Sequence, residues 1–250
     1  MIDLSLIWPA LIAGLLVTAT HVPLGTQVLS RGIVFIDLAV AQIAGLGVIV
    51  ADRLGFEPQG IAVQVAALTA ALLGALLLNW TDKRWPQVQE ALIGVTFIVA
   101  ANAAILMLAA NPHGAEHLKD LLIGQILWVD PLRLVVVALV YAVILALWFG
   151  LRERLGSVGF YVLFALAVTA SVQLVGIYLV FATLIVPALA TRAMTRGRLA
   201  ACYALGVLGY AAGLGISLVS DLPPGPLIVC MMSALGLVVF LLKSPAPAAT

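Results

Sequence analysis

Charge is what this sequence has least of. Of its 250 residues, 12 are Lys or Arg and 11 are Asp or Glu, 9% in all, against a hydrophobic share of 64%. Soluble domains carry about 25% charged residues, and so few charges cannot cover a water-facing surface. Together with a mean hydropathy of +1.21, this sets the fold class: an all-α integral membrane protein, a polytopic helical bundle of eight or nine transmembrane helices. Cysteine is nearly absent. Cys202 and Cys230 both lie in apolar runs and form no disulfide framework. A net charge of +1 offers nothing to nucleic acid. There are three lysines and no G-x-x-x-x-G-K-[ST], so nucleotide phosphates cannot be held in the P-loop manner. No connection is longer than about a dozen residues, which leaves no room for an embedded soluble catalytic domain. The first residues lack the basic region and small-residue cleavage site of a signal peptide, so 4–20 is expected to be retained as a span.

What is present is a series of apolar runs. A span needs about 20 apolar residues, and the runs fall near 4–21, 28–51, 61–80, 88–110, 131–149, 158–174, 176–191, 199–218 and 225–243. The last pair before 199 can also be read as one long broken helix. The stretch 120–129, DLLIGQILWV, is too short to cross and reads as re-entrant or interfacial. One transmembrane domain covers 1–243, and the Pro/Ala-rich end 244–250 reads as a disordered tail. In the nine-span order Arg31, Lys83, Arg84, Arg152, Arg154, Arg192, Arg196, Arg198 and Lys243 share one side. Arg53, Lys119 and Arg133 take the other. The positive-inside rule then puts the N-terminus outside and the C-terminus in the cytoplasm.

Against this background a few polar residues stand out. Asp37 is a carboxylate inside the second run, where an unpaired acid costs roughly 2.5–3.5 kcal/mol. It is expected to face a cavity, a partner or a cation, or else to pair with Arg31. Gln42 follows five residues on, about 140° around an ideal helix, so the two cannot chelate one ion from a straight helix. His21 ends the first run beside Pro23, either as a site residue or as an interfacial, snorkelling group. In His113-x-x-Glu116-His117, Asn111 and Pro112 are suited to open a helix that sets both histidines on one face. That spacing matches a metallopeptidase signature, an outward metal-collecting patch, or a solvated polar loop. Glu90 opens the fourth run and suits a helix N-terminus. Ala41-x-x-x-Gly45 and Gly209-x-x-x-Gly213 allow close helix approach, within one chain or between subunits.

Four stretches stand in a distinctive order and spacing: PLG at 23–25 with Arg31, Asp37 and the small residues up to Gly47; EALIG at 90–94; LIGQIL at 122–127; and VGIYLVFATLIVPALATR at 175–192. Together they resemble the membrane permease subunits of ATP-binding-cassette importers for zinc, manganese or ferrous iron. The resemblance runs over nearly the whole chain. It implies a transporter subunit that is not itself an enzyme, located in the inner membrane. Its implied partners are a second permease copy in a homodimer or pseudo-dimer, a dimer of cytoplasmic ATP-binding-cassette ATPases and an extracytoplasmic metal-binding solute-binding protein. The cargo is a divalent metal ion, zinc favoured, moved by alternating access, and ATP acts only through the partner. Asp37 matches a carboxylate expected along the ion path. Gly176 and Pro187 would make a flexible gate or wall, and Arg152, Arg154 and 192–198 would contact the ATPase.

Two departures from the family pattern are visible. A histidine usually stands one turn after the aspartate, where this chain has Ala41; Gln42 or His21 is left to supply a ligand. The connection GLRERLGS at 150–157 is shorter than the family's and leaves room for little more than a turn of helix. Three other readings fit the same residues: a secondary carrier using Asp37 as a proton or cation relay, a membrane metalloenzyme built on His113, Glu116 and His117, and a structural scaffold with a permease fold.

Overall fold

The computed structural model describes residues 4–57, 60–108, 122–220 and 222–243. Its helices are α1 (Leu4–Arg31), α2 (Ile36–Arg53), α3 (Ile61–Arg84), α4 (Gln89–Leu108), α5 (Pro131–Val175), α6 (Ile177–Ala190), α7 (Arg198–Ser220) and α8 (Pro224–Lys243). Among the described residues, seven segments are long and apolar enough to cross a membrane: α1, α3, α4, the two halves of α5, α7 and α8. The remaining two of the nine runs are α2, which carries Asp37, Asp52 and Arg53, and α6, an apolar helix of 14 residues. The tail 244–250 lies outside the described residues.

The largest correction to the sequence reading concerns the connection at 150–157. Residues there are helical, and α5 runs for 45 residues with one non-helical position, Gly156, at φ 59° and ψ −160°. That single residue folds the helix back on itself. The Trp148 and Phe160 rings are 6.0 Å apart, where twelve residues of straight helix would hold them about 18 Å apart. Tyr141 and Ser171, equally distant from Gly156 on either side, share a hydrogen bond. The two halves are thus an antiparallel hairpin, closed by the tilted ring contacts of Trp148, Phe160 and Phe164. A short connection suffices because a glycine with positive φ makes the turn alone.

The first two runs also divide differently from the expectation. α1 continues through Pro23 to Arg31, and the turn to α2 is made at Gly32, with φ +70°. A proline inside a helix removes the hydrogen bond to the carbonyl four residues back, here that of Ala19. The Tyr203 hydroxyl of α7 donates to this oxygen at 3.1 Å and replaces the missing donor. Tyr203→Phe leaves Ala19 unsatisfied and is expected to cost about 1–3 kcal/mol, read as a lowered midpoint of thermal unfolding in detergent.

α6 is the centre of the bundle, packed by α1, α2, α5, α7 and α8. Gly25 of α1 crosses it so closely that a Cβ would lie 1.9 Å from the Leu184 carbonyl oxygen. The break before α6 is held by a second close approach. Gly124 and Gly176, both at positive φ, meet backbone to backbone, and a Cβ on Gly176 would lie 2.4 Å from the Gly124 nitrogen. The segment expected to be re-entrant packs here: Ile126 is buried in a single 3-10 turn that rests on α1 and α8. Gly209 and Gly213 serve packing within the chain, lying against Met232 and Ile228 of α8. Ala41 and Gly45 are buried in α2, and Gly47 beyond them lies against Ala66 and Ala70 of α3.

Contacts at the helix ends show the alternation of direction directly. At one end Arg31 sits over the Phe160 ring at 4.3 Å, Ser157 donates to Asn79, and Arg192 sits over Phe240 at 4.9 Å. At the other, Arg53 donates to the Met107 carbonyl and Gly225 lies beside Ile123. The first is the basic end, holding every described cation of the larger set. The second carries Arg53 and Arg133.

Candidate functional site

The candidate site is built where α1 turns into α2. Gly32 lets the chain reverse, the Ile33 and Ile36 amides close the turn onto the Val28 and Ile33 carbonyls, and Phe35 stacks on Phe181 of α6 at 6.1 Å. Asp37 follows in the first turn of α2, not half-way along a span as the run 28–51 implied. A helix N-terminus presents unpaired N–H groups and favours an anion, so this position lowers the cost of a carboxylate. It does not remove it. Asp37 is 1% exposed, and neither side-chain oxygen has a hydrogen-bond partner.

Glu90, at the start of α4, reaches the same turn. Its Oε1 accepts the Phe35 backbone N–H at 3.2 Å, while Oε2 is buried without a partner. The acid expected to favour the N-terminus of its own helix therefore caps the neighbouring one. Phe35 stands two residues before Asp37, so the site gathers two carboxylates with three unsatisfied oxygens close to the basic end. Buried acceptors that complete no hydrogen bond are rare, and oxygens left in that state are suited to a cation. The pairing of Asp37 with Arg31 does not form: the Arg31 guanidinium lies on the Phe160 ring instead.

The other sequence candidates lie elsewhere. Gln42 is buried further along α2, 6% exposed. His21 is fully buried inside α1 and does not snorkel. Its Nδ1 sits 3.0 Å from the Val17 carbonyl and 3.0 Å from the Thr20 hydroxyl, and its Nε2 is buried without a partner. His21 precedes Arg31 by ten residues, about 15 Å of helix, and is not part of the turn that holds Asp37. His113, Glu116 and His117 lie outside the described residues. No group of three or more His, Cys, Asp or Glu able to hold a metal occurs among the described residues. Sequence reasoning gave Glu90 only a local role, since nothing in the chain order signals its contact across 55 positions.

At the basic end the loop after α6 is fastened by its own arginines. Arg198 donates to the Ala188 carbonyl at 3.2 Å and Arg192, though exposed, lies on Phe240; Arg196 is exposed as well. Inside α6 the carbonyl of Pro187 accepts from Thr191 at 2.8 Å and from the Cys202 thiol at 3.4 Å.

A family model described as the ABC 3 transport family matches residues 3–160 and 146–243. The chain belongs to that family. Among its relatives is the manganese transport system membrane protein MntC of Halalkalibacterium halodurans, 24% identical over 258 residues, covering 94% of this chain and 86% of that one. An uncharacterized membrane protein of Synechocystis is 25% identical over 246 residues, covering 90% and 86%. The fold of this ABC 3 chain is similar to that of the solved structure of PsaBC from Streptococcus pneumoniae in complex with Fab, with a TM-score of 0.76 at 20% identity over 95% of this chain and 92% of that one. The ABC 3 stretches quoted from the sequence owe much of their form to packing: Gly25, Gly124 and Gly176 each stand where two backbones touch.

Proposed function

We propose that this chain is the permease subunit of an importer for a divalent metal ion, with manganese ahead of zinc, and that Asp37 with Glu90 forms the polar point the ion meets before it leaves at the basic end. The observation that carries this reading is the buried, unpartnered Asp37 carboxylate beside the free oxygen of Glu90. The metal follows from the donors. Carboxylate oxygens suit manganese, whereas zinc is better served by imidazole or thiolate, and the position one turn after Asp37 is Ala41. The name of the MntC relative points the same way.

The basic end faces the cytoplasm in this reading, with the N-terminus outside, the C-terminus inside and the protein in the inner membrane. A cytoplasmic ATP-binding-cassette ATPase dimer docks there, with Arg192 and Arg196 the exposed cations of the loop after α6. A second permease copy and an extracytoplasmic metal-binding protein complete the importer, which works by alternating access. Gly176 and Pro187 line its central helix. The ATPase supplies the energy, because this chain has no P-loop.

The test is the metal content of cells with and without the chain, measured together with the Glu90→Gln variant. Manganese is expected to fall without the chain while zinc holds. Glu90→Gln keeps the contact to Phe35 and is expected to reduce manganese accumulation several-fold at unchanged protein level. Unchanged manganese in the deletion would contradict the proposal.

A further inference from the structure

The end of the bundle opposite the Asp37 site carries a groove. It has a volume of about 630 Å³ and lies between the start of α3 and the two halves of α5. At its mouth are Asp130, Arg133 and Gln64; further in, Val137, Val140 and Leu166 give it apolar walls. Outer lining residues such as Leu132 and Val136 are 70% and 55% exposed, so the groove opens sideways from the protein rather than into the core.

Three features define what fits. First, the mouth pairs an acid with a base at the very start of a span, the level of lipid headgroups. Asp130 uses Oδ1 to cap α5 at the Leu132 N–H, 3.1 Å away, which leaves its second oxygen for another donor. Second, Arg133 offers the forked guanidinium that binds phosphate. Third, Thr169 lines the groove, 5% exposed, and its hydroxyl oxygen is buried without a hydrogen-bond partner. Thr169 lies one turn inward of Gln173, about 6 Å of helix, which places a hydroxyl donor below the charged level. The apolar walls continue from Arg133 to Val140, about 10 Å of helix.

We propose that this groove binds one diacyl phospholipid with a primary ammonium headgroup. Its phosphate lies on Arg133, its ammonium donates to Asp130 and its ester carbonyl accepts from Thr169. An acyl chain follows Val137, Val140 and Leu166. The site is independent of the Asp37 reading and stands or falls separately from it.

The experiment is native mass spectrometry of the full-length protein in detergent, with phosphatidylethanolamine, phosphatidylcholine and phosphatidylglycerol of identical chains added in turn. One phosphatidylethanolamine per chain is expected to be retained, at least about tenfold more tightly than the other two, because only it presents an N–H donor to Asp130 beside its phosphate. Arg133→Gln and Thr169→Val are expected to lower that retention, and Ala170→Trp to block it by filling the groove. Arg133→Gln changes an exposed side chain and leaves folding intact, which keeps the test decisive if Ala170→Trp misfolds. Equal retention of the three lipids, or no effect of Arg133→Gln, would show a boundary lipid only and overturn the proposal. A shift from dimer to monomer in Ala170→Trp with phosphatidylethanolamine retention unchanged would assign the face to a second copy, and would overturn it as well.

Discussion

Asp37→Asn is expected to abolish accumulation of the transported metal while leaving the protein as abundant and at least as heat-stable as the wild type. The two halves of this result come from one feature. A buried carboxylate without donors is a cost to the fold, and removing an uncompensated charge is neutral or stabilising where no partner is left behind. Neither Asp37 oxygen has such a partner. For a passing cation the loss is different, since asparagine keeps the shape but removes the charge. A fall in uptake of tenfold or more corresponds to about 1.4 kcal/mol or more of lost stabilisation. Metal uptake and the thermal midpoint, measured on the same preparation, separate the two roles. Normal uptake would make Asp37 a bystander; a protein that no longer folds would make it structural.

Gly176→Ala is expected to have the largest effect on folding. Gly176 holds φ 81° and ψ 163°, a region other residues enter at a cost of about 1–3 kcal/mol. Its Cβ would also collide with backbone, 2.4 Å from the Gly124 nitrogen and 2.5 Å from the Ile123 carbonyl carbon. Backbone cannot swing aside as a side chain can, so overpacking adds a further cost of about 1–3 kcal/mol. The variant should aggregate or elute as a broad species in size-exclusion chromatography. Gly150→Ala is the matched control. It lies within α5 with open space around its Cβ, and the helix preference of alanine predicts a gain of up to about 1 kcal/mol. If the two variants behave alike, the contact between residues 124 and 176 is not what holds the break before α6.

Much of the fold is legible in the sequence because a bilayer reduces it to one variable. Apolar runs separated by short charged connections give the spans and their alternation, and the contacts at the two helix ends follow that alternation. What misleads is any position where a local rule is overridden from a distance. Pro23 reads as a break, but Tyr203, on another helix, supplies the donor it removes. With α1 extended to Arg31, Asp37 moves from mid-span to a helix N-terminus. GLRERLGS reads as a loop too short for its task, yet one glycine performs the reversal inside a continuous helical stretch. The candidate site divides in the same way. Asp37 is conspicuous because it is an acid among apolar residues. Glu90 is hidden, because its role depends on α4 lying beside the turn into α2, and that is a matter of packing. Gly25, Gly124 and Gly176 are recognisable as parts of motifs, but their reason appears only when the opposing backbones are seen.

In the proposed function this permease moves a divalent metal ion only when a partner ATPase drives it. The most direct measurement is uptake of radioactive manganese into proteoliposomes holding the permease, with and without the ATPase and the metal-binding protein, at saturating ATP. Uptake is expected to need ATP and both partners and to be lost in Asp37→Asn. Manganese uptake by the permease alone, driven by an ion gradient, would contradict it and favour a secondary carrier.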